Sequence, residues 1–238
     1  MRKTLLAATL TLTAFAAQAD YQCSVTPRDD VIISPQTVQV KGENGNLVIT
    51  PEGNVMFNGK QPSLSAAQRE QAKDYQAELR SALPWIDNGA LTRVEKNRIA
   101  LDKIIVKEVG ESSSMRNRLT KLDAQLKEQM NRIIEQRSDG LTFHYKAIEQ
   151  VRADGQQLVN QAMGGILQDS INEMGAKAVM KSGGNPLQNV LGNLGGLQTS
   201  IQNEWKNQEA DFQQFGKDVC QRVVSLEESR KALTSSLK

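Results

Sequence analysis

Residues 47–68 read LVITPEGNVMFNGKQPSLSAAQ, and the periodicity of the chain changes inside this stretch. Leu47-Val48-Ile49 and Val55-Met56-Phe57 are short apolar or β-branched runs. Pro51-Glu52-Gly53-Asn54 lies between them and Asn58-Gly59 follows, both with the chemistry of tight turns. Beyond Pro62 the apolar residues recur every three or four positions, at Leu64, Tyr75, Leu79 and Leu83, and Ser65-x-x-Gln68 is a capping-box pattern. Strands upstream and helices downstream make the predicted class α+β.

Working outward toward the amino terminus, Val31-Ile32-Ile33 and Thr37 to Val40 are two more strand-like runs. Ser34-Pro35 and Gly42 to Asn46 supply their turns. An antiparallel unit of two to four strands is marginal alone, so it is expected to pack on the helices that follow.

Downstream, Pro84 is expected to end the first helix, and Thr92-x-x-Glu95 to open a second that Gly110 and Ser112-Ser113-Ser114 close. A third helix is predicted over Met115 to Arg137. After Ser138-Asp139-Gly140 a fourth runs from about Phe143 to Met180, where Gly155, Gly164-Gly165 and Gly175 predict a break, a kink or a close crossing. Ser182-Gly183-Gly184-Asn185-Pro186 reads as a linker whose last two residues cap and open a short segment that Gly192 and Gly195-Gly196 end. From Leu197 to Leu237 a continuous stripe runs through Ile201, Trp205, Phe212, Phe215, Val219, Val223, Leu226, Leu233 and Leu237, with Gln208 and Arg230 filling the expected gaps. That helix would reach about 60 Å, so it must lie along another long helix, such as Met115 to Arg137, or protrude toward a partner. The expectation is thus a small amino-terminal antiparallel β unit (20–62) packed on a mainly helical body with long amphipathic helices (63–238), with 20–238 as one domain.

Residues 1–19 have the three parts of a cleavable signal peptide: basic Arg2 and Lys3, an uncharged stretch from Leu5 to Ala17, and the small-x-small site Ala17-Gln18-Ala19. The stretch is shorter than the roughly 20 residues of a membrane span, and no later uncharged segment is longer. Asp20-Tyr21-Gln22 before Cys23 does not fit a lipidation signal. Cleavage would remove two of 29 basic residues and no acidic ones, leaving 27 against 27. A neutral mature chain gives no reason to expect nucleic-acid binding, which needs a clustered basic surface.

Cys23 and Cys220 are the two cysteines. In an oxidising compartment an even pair is expected to bridge, and in the chain-entropy model so large a loop stabilises by about 4 to 5 kcal/mol. Neither has a neighbour that would activate a thiolate.

No constellation for catalysis is evident, and no cofactor or metal site is expected. His144 is the single histidine, between Phe143 and Tyr145, and one histidine with two distant cysteines cannot make a histidine-rich zinc site. Nucleotide-binding, nucleophile-elbow and EF-hand motifs are missing. Asp29-Asp30 reads as turn-forming rather than as an acid/base dyad, and Ser112 to Ser114 as a solvated loop.

Residues 158–197 are glycine-rich, long in apolar faces and poor in charge. They read as a tightly packed helical hairpin of the protein's own core, with a docking surface for a lipid, membrane or partner helix as the sharper alternative. The candidate interaction surface comprises Leu158, Ala162, Ile166, Met174, Leu194, Trp205 and Phe212.

The whole layout resembles the YggN-type family of exported proteins from Gram-negative bacteria. The resemblance runs from Tyr21-Gln22-Cys23 through Leu47-Val48-Ile49 and Val55-Met56-Phe57-Asn58-Gly59 to Met163-Gly164-Gly165-Ile166-Leu167 and the final cysteine helix. It implies a periplasmic location and carries over no catalytic or binding residue. The functional expectation is a non-enzymatic periplasmic interaction or chaperone-like module that contacts an envelope protein or lipid and is compatible with homo-oligomers. Lipid or membrane-surface binding through 158–197 and an unfamiliar hydrolase are the alternatives.

Overall fold

The computed structural model describes residues 23–43, 45–180 and 186–237. The signal-peptide pattern and linker residues 182–185 lie outside them, while Pro186 opens the last helix as expected. The predicted strands form a meander of β1 (Asp29–Ile33), β2 (Val38–Gly42), β3 (Gly45–Ile49) and β4 (Val55–Phe57), followed by helix α1 (Ala66–Glu108). Ser65 caps α1 as expected, its Oγ accepting from the Gln68 N–H while the Gln68 Oε1 accepts from the Ser65 N–H. Then come α2 (Met115–Ile133), β5 (Ile134–Arg137), β6 (Gly140–Phe143), α3 (Ala147–Met180) and α4 (Pro186–Ser235). The fold is α+β.

The sheet is antiparallel and has six strands, ordered β4-β3-β2-β1-β6-β5. Its second hairpin corrects the sequence reading, which ran the third helix to Arg137 and made everything after residue 63 helical. The chain turns extended at Ile134, and Leu141 is buried where it pairs with Ile33. Burying that β-branched and apolar alternation against β1 outweighs the helix propensity of Glu135-Gln136-Arg137.

Strand alternation puts Val31, Ile33, Val38, Val40, Leu47 and Ile49 on one face, where the first half of α1 and the last turns of α4 cover them. Tyr75, Leu79 and Leu83 come from α1, and Leu226, Leu233 and Leu237 from α4. A second core lies at the far end of the helices, where Ile105, Met115, Ile166, Leu197 and Ile201 bring all four together.

Each helix packs on two neighbours in the cycle α1-α2-α3-α4, which is an antiparallel four-helix bundle. The pairing of α1 with α4 is maintained along nearly the whole of α1. Gln68 Nε2 donates to the Ser236 carbonyl at 2.9 Å, Ser229 Oγ to Glu78 at 3.1 Å, Arg93 pairs with Asp211 at 2.9 Å, and Ser200 Oγ donates to Glu108 at 3.4 Å. So the long last helix does lie along other long helices, but these are α1 and α3 rather than the helix opening at Met115, which sits diagonally across the bundle.

Two expected helix ends are absent, and an expected interruption is bridged. Pro84 lies inside α1, because Leu83 before it and Ile86 after it are both fixed in the sheet core. Packing on either side offsets the lost backbone hydrogen bond, and Thr92-x-x-Glu95 falls mid-helix. Likewise α3 runs through Gly155, Gly164-Gly165 and Gly175, and α4 through Gly192 and Gly195-Gly196. Neither glycine of the Gly164-Gly165 pair marks a close backbone crossing: Gly164 faces open space, and Gly165 lies against the guanidinium of Arg118, which pairs with Asp169 at 2.9 Å.

Cys23 and Cys220 are bonded, tying the segment before β1 to α4. Further along α4, Arg230, almost fully buried, pairs with Glu227 at 2.6 Å and lies 3.5 Å from buried Asp29.

Candidate functional site

Between the two cores the bundle has a waist. The apolar stripe of α4 continues through it, with Ile201, Gln208 and Phe215 buried, yet Trp205 is 40% and Phe212 39% exposed. They stand seven residues apart, on one side of the helix. The antiparallel run of α3 against α4, set by Ile166 beside Leu197 and Ile201, brings Leu158 to the height of Trp205, and Leu158 and Ala162 are only half buried. Four of the residues singled out in the sequence thus share one region. Ile166 does not join them: it is buried in the second core, so its place on an interaction surface is corrected. The side chains of Met174 and Leu194 lie outside the described ones.

A second apolar surface was not evident in the sequence. Thr92, Lys96, Ile99 and Lys103 stand opposite the buried Ile105 on the outer face of α1 and floor an open groove of about 1000 Å³. Lys127 of α2 forms one rim and Glu204 of α4 the other. Ile99, 41% exposed, is at its centre. Glu95 bonds to Arg98 and Lys127, which hold its carboxyl down at about 2. Lys103 is exposed and has no ion pair among the described residues. An isolated isoleucine inside a charged helix face gives no periodic signal, which is why sequence reading passed over it.

The groups considered for chemistry are held elsewhere. Asp29 and Asp30 open β1 rather than forming a turn, and their side chains leave opposite faces of the sheet. Asp29 lies near Arg230, and Asp30 Oδ1 accepts from the Tyr145 N–H at 3.0 Å. The serine run is not simply solvated: Ser113 is buried and Ser114 donates to Glu173 through both Oγ and N–H, at 2.6 and 2.7 Å. His144 Nε2 sits 3.2 Å from Glu135 on the surface. Among the described residues no cluster of three or more His, Cys, Asp or Glu could hold a metal ion, and no helix is long and apolar enough to cross a membrane.

Residues 23–238 match the family model of DUF2884, proteins of unknown function. The chain belongs to this family. It is 85% identical over 238 residues, the full length of both chains, to the uncharacterized protein YggN of Escherichia coli strain K12. The YggN proteins of Escherichia coli O6:H1 and O157:H7 show the same identity and coverage. No solved structure matches. Within the family match fall both cysteines of the bridge and the four helices of the bundle.

Proposed function

We propose that this DUF2884 protein is an exported, non-enzymatic helper of the cell envelope that receives an apolar segment of another envelope protein at the bundle waist. One observation carries the reading. Two large aromatic side chains, Trp205 and Phe212, interrupt a helix stripe that is buried on both sides of them, and both are more than a third exposed. Fully burying such a side chain is worth about 1.5 to 3 kcal/mol, so a partner that covers both gains most where the chain's own core stops. Leu158 and Ala162 extend the surface onto α3.

Three features support the rest of the reading. The pattern of residues 1–19 is that of a secretory signal peptide, and the Cys23–Cys220 bond is compatible with an oxidising compartment. The acidic, serine and histidine groups a hydrolase would need are each engaged in separate structural contacts.

Photocrosslinking in cells from position 205, with position 56 on the sheet as an exposed control, tests the proposal. A reproducible protein neighbour at 205 that is missing at 56 is the expected result. Labelling of lipid, with co-flotation of the purified protein on anionic vesicles, would replace this reading with lipid binding. Turnover of a defined compound, abolished by one substitution, would replace it with an enzyme.

A further inference from the structure

We propose that the groove on the outer face of α1 is the contact between two copies of this chain, related by a twofold axis that passes through Ile99. The proposal concerns a different face from the aromatic waist and stands independently of it. Ile99 lies midway between Glu95 and Lys103, one helical turn to either side. A second α1 crossing antiparallel at Ile99 places each Lys103 against the other copy's Glu95. A parallel crossing would set Lys103 against Lys103.

The rims obey the same symmetry. Lys127 stands on the α2 side at the height of Glu95, to which it bonds at 2.8 Å. Glu204 stands on the α4 side at the height of Lys103, as the α1–α4 register from Arg93–Asp211 to Glu108–Ser200 requires. Half a turn about an axis perpendicular to α1 exchanges left with right and top with bottom. It carries Lys127 of one copy onto Glu204 of the other, and the reverse. An apolar centre with charges that complement themselves on rotation is the signature of an isologous contact. Lys103, without an ion pair among the described residues, gains one in the pair.

Sedimentation of the mature protein over a range of concentrations, in low and high salt, tests this together with site-directed crosslinking. A dimer that weakens as salt screens the rim charges is expected. Ile99→Glu should weaken association at least about tenfold and Lys103→Glu roughly several-fold. A residue on a twofold axis meets its own copy, so Ile99→Cys should crosslink chain to chain under mild oxidation, whereas the exposed control Met56→Cys should not. Native Cys23 and Cys220 are bonded to each other and do not compete. A strictly monomeric protein overturns the proposal, as does a dimer that both charged variants leave intact or Ile99→Cys crosslinking no faster than the control. None of these results bears on a neighbour captured at Trp205.

Discussion

The ring of Phe215 occupies the space that a β-carbon would take at Gly89. From there it meets Trp85 with ring centroids 5.4 Å apart and carries the Arg93 guanidinium 4.1 Å above its face, while Arg222, two turns further along α4, covers Trp85. A glycine in α1 therefore admits the aromatic that joins α1 to α4 at mid-length.

Gly89→Ala should destabilise the protein by about 1 kcal/mol, since overpacking costs roughly 1 to 3 kcal/mol and the gain in helix propensity returns about 1. Urea unfolding followed by Trp fluorescence measures it. An unchanged or raised midpoint would show that Phe215 moves aside freely.

Gly155→Ala and Gly164→Ala should act in the opposite direction. Both lie inside α3 with nothing within reach of an added methyl. Each substitution should stabilise by about 0.5 to 1 kcal/mol, a rise of roughly 2 to 4 °C per kcal/mol in a chain of this size. Gly165→Ala, next to Gly164, meets the flexible end of Arg118 and should stabilise less than either, because Arg118 must shift away from Asp169.

These glycines also show what the sequence hid. Each was legible as a helix breaker, yet an interior glycine costs only about 1 kcal/mol, and tertiary contacts on both sides of it supply more. Pro84 teaches the same lesson at a larger cost, with Leu83 and Ile86 fixed in one core. By contrast β1 to β4 and the Ser65 cap were legible because they rest on local chemistry, alternation and turn residues. The hairpin of β5 and β6 was not, because Ile134 to Arg137 becomes a strand only by pairing with β6, and β6 only by pairing with β1, a partner about a hundred residues away. Of the candidate surface, the stripe on α4 was readable by period. Which of its members lacks cover depends on α3 and could not be.

Replacing Cys220 by Ser should lower stability by about 2 to 5 kcal/mol through the freed chain between residues 23 and 220. The wild-type protein should migrate faster on a non-reducing than on a reducing gel. Identical mobility with and without reductant would remove the bridge.

Asp29→Asn should cost more than its size suggests, on the order of 3 kcal/mol, because Arg230 stays buried with one anion fewer. Guanidinium unfolding at neutral pH measures this. A loss below about 0.5 kcal/mol would mean that Glu227 alone satisfies Arg230.

Acid should weaken the bundle over a defined window. Hydrogen bonds from Arg98 and Lys127 hold Glu95 at about 2, against 4.5 in an unperturbed chain, and Arg230 likewise lowers Glu227. A carboxylate with a depressed folded-state value contributes its full stability above the unfolded value and loses it as pH falls through the folded one. Thermal midpoints should thus be flat above about pH 5 and decline from there toward pH 2, with Glu95→Gln removing only part of the decline. A midpoint that rises on acidification would contradict the assignment.

Because β1 is flanked by β2 on one side and β6 on the other, the order of synthesis matters. A nascent chain that has completed β1 to β4 carries an open border along Val31–Ile33, a ready template for the strands of a neighbouring nascent copy. The border closes only after two whole helices have followed and residue 143 has emerged, and so distant a pairing is slow. Any factor that keeps the chain extended until then protects it from joining its sisters edge to edge.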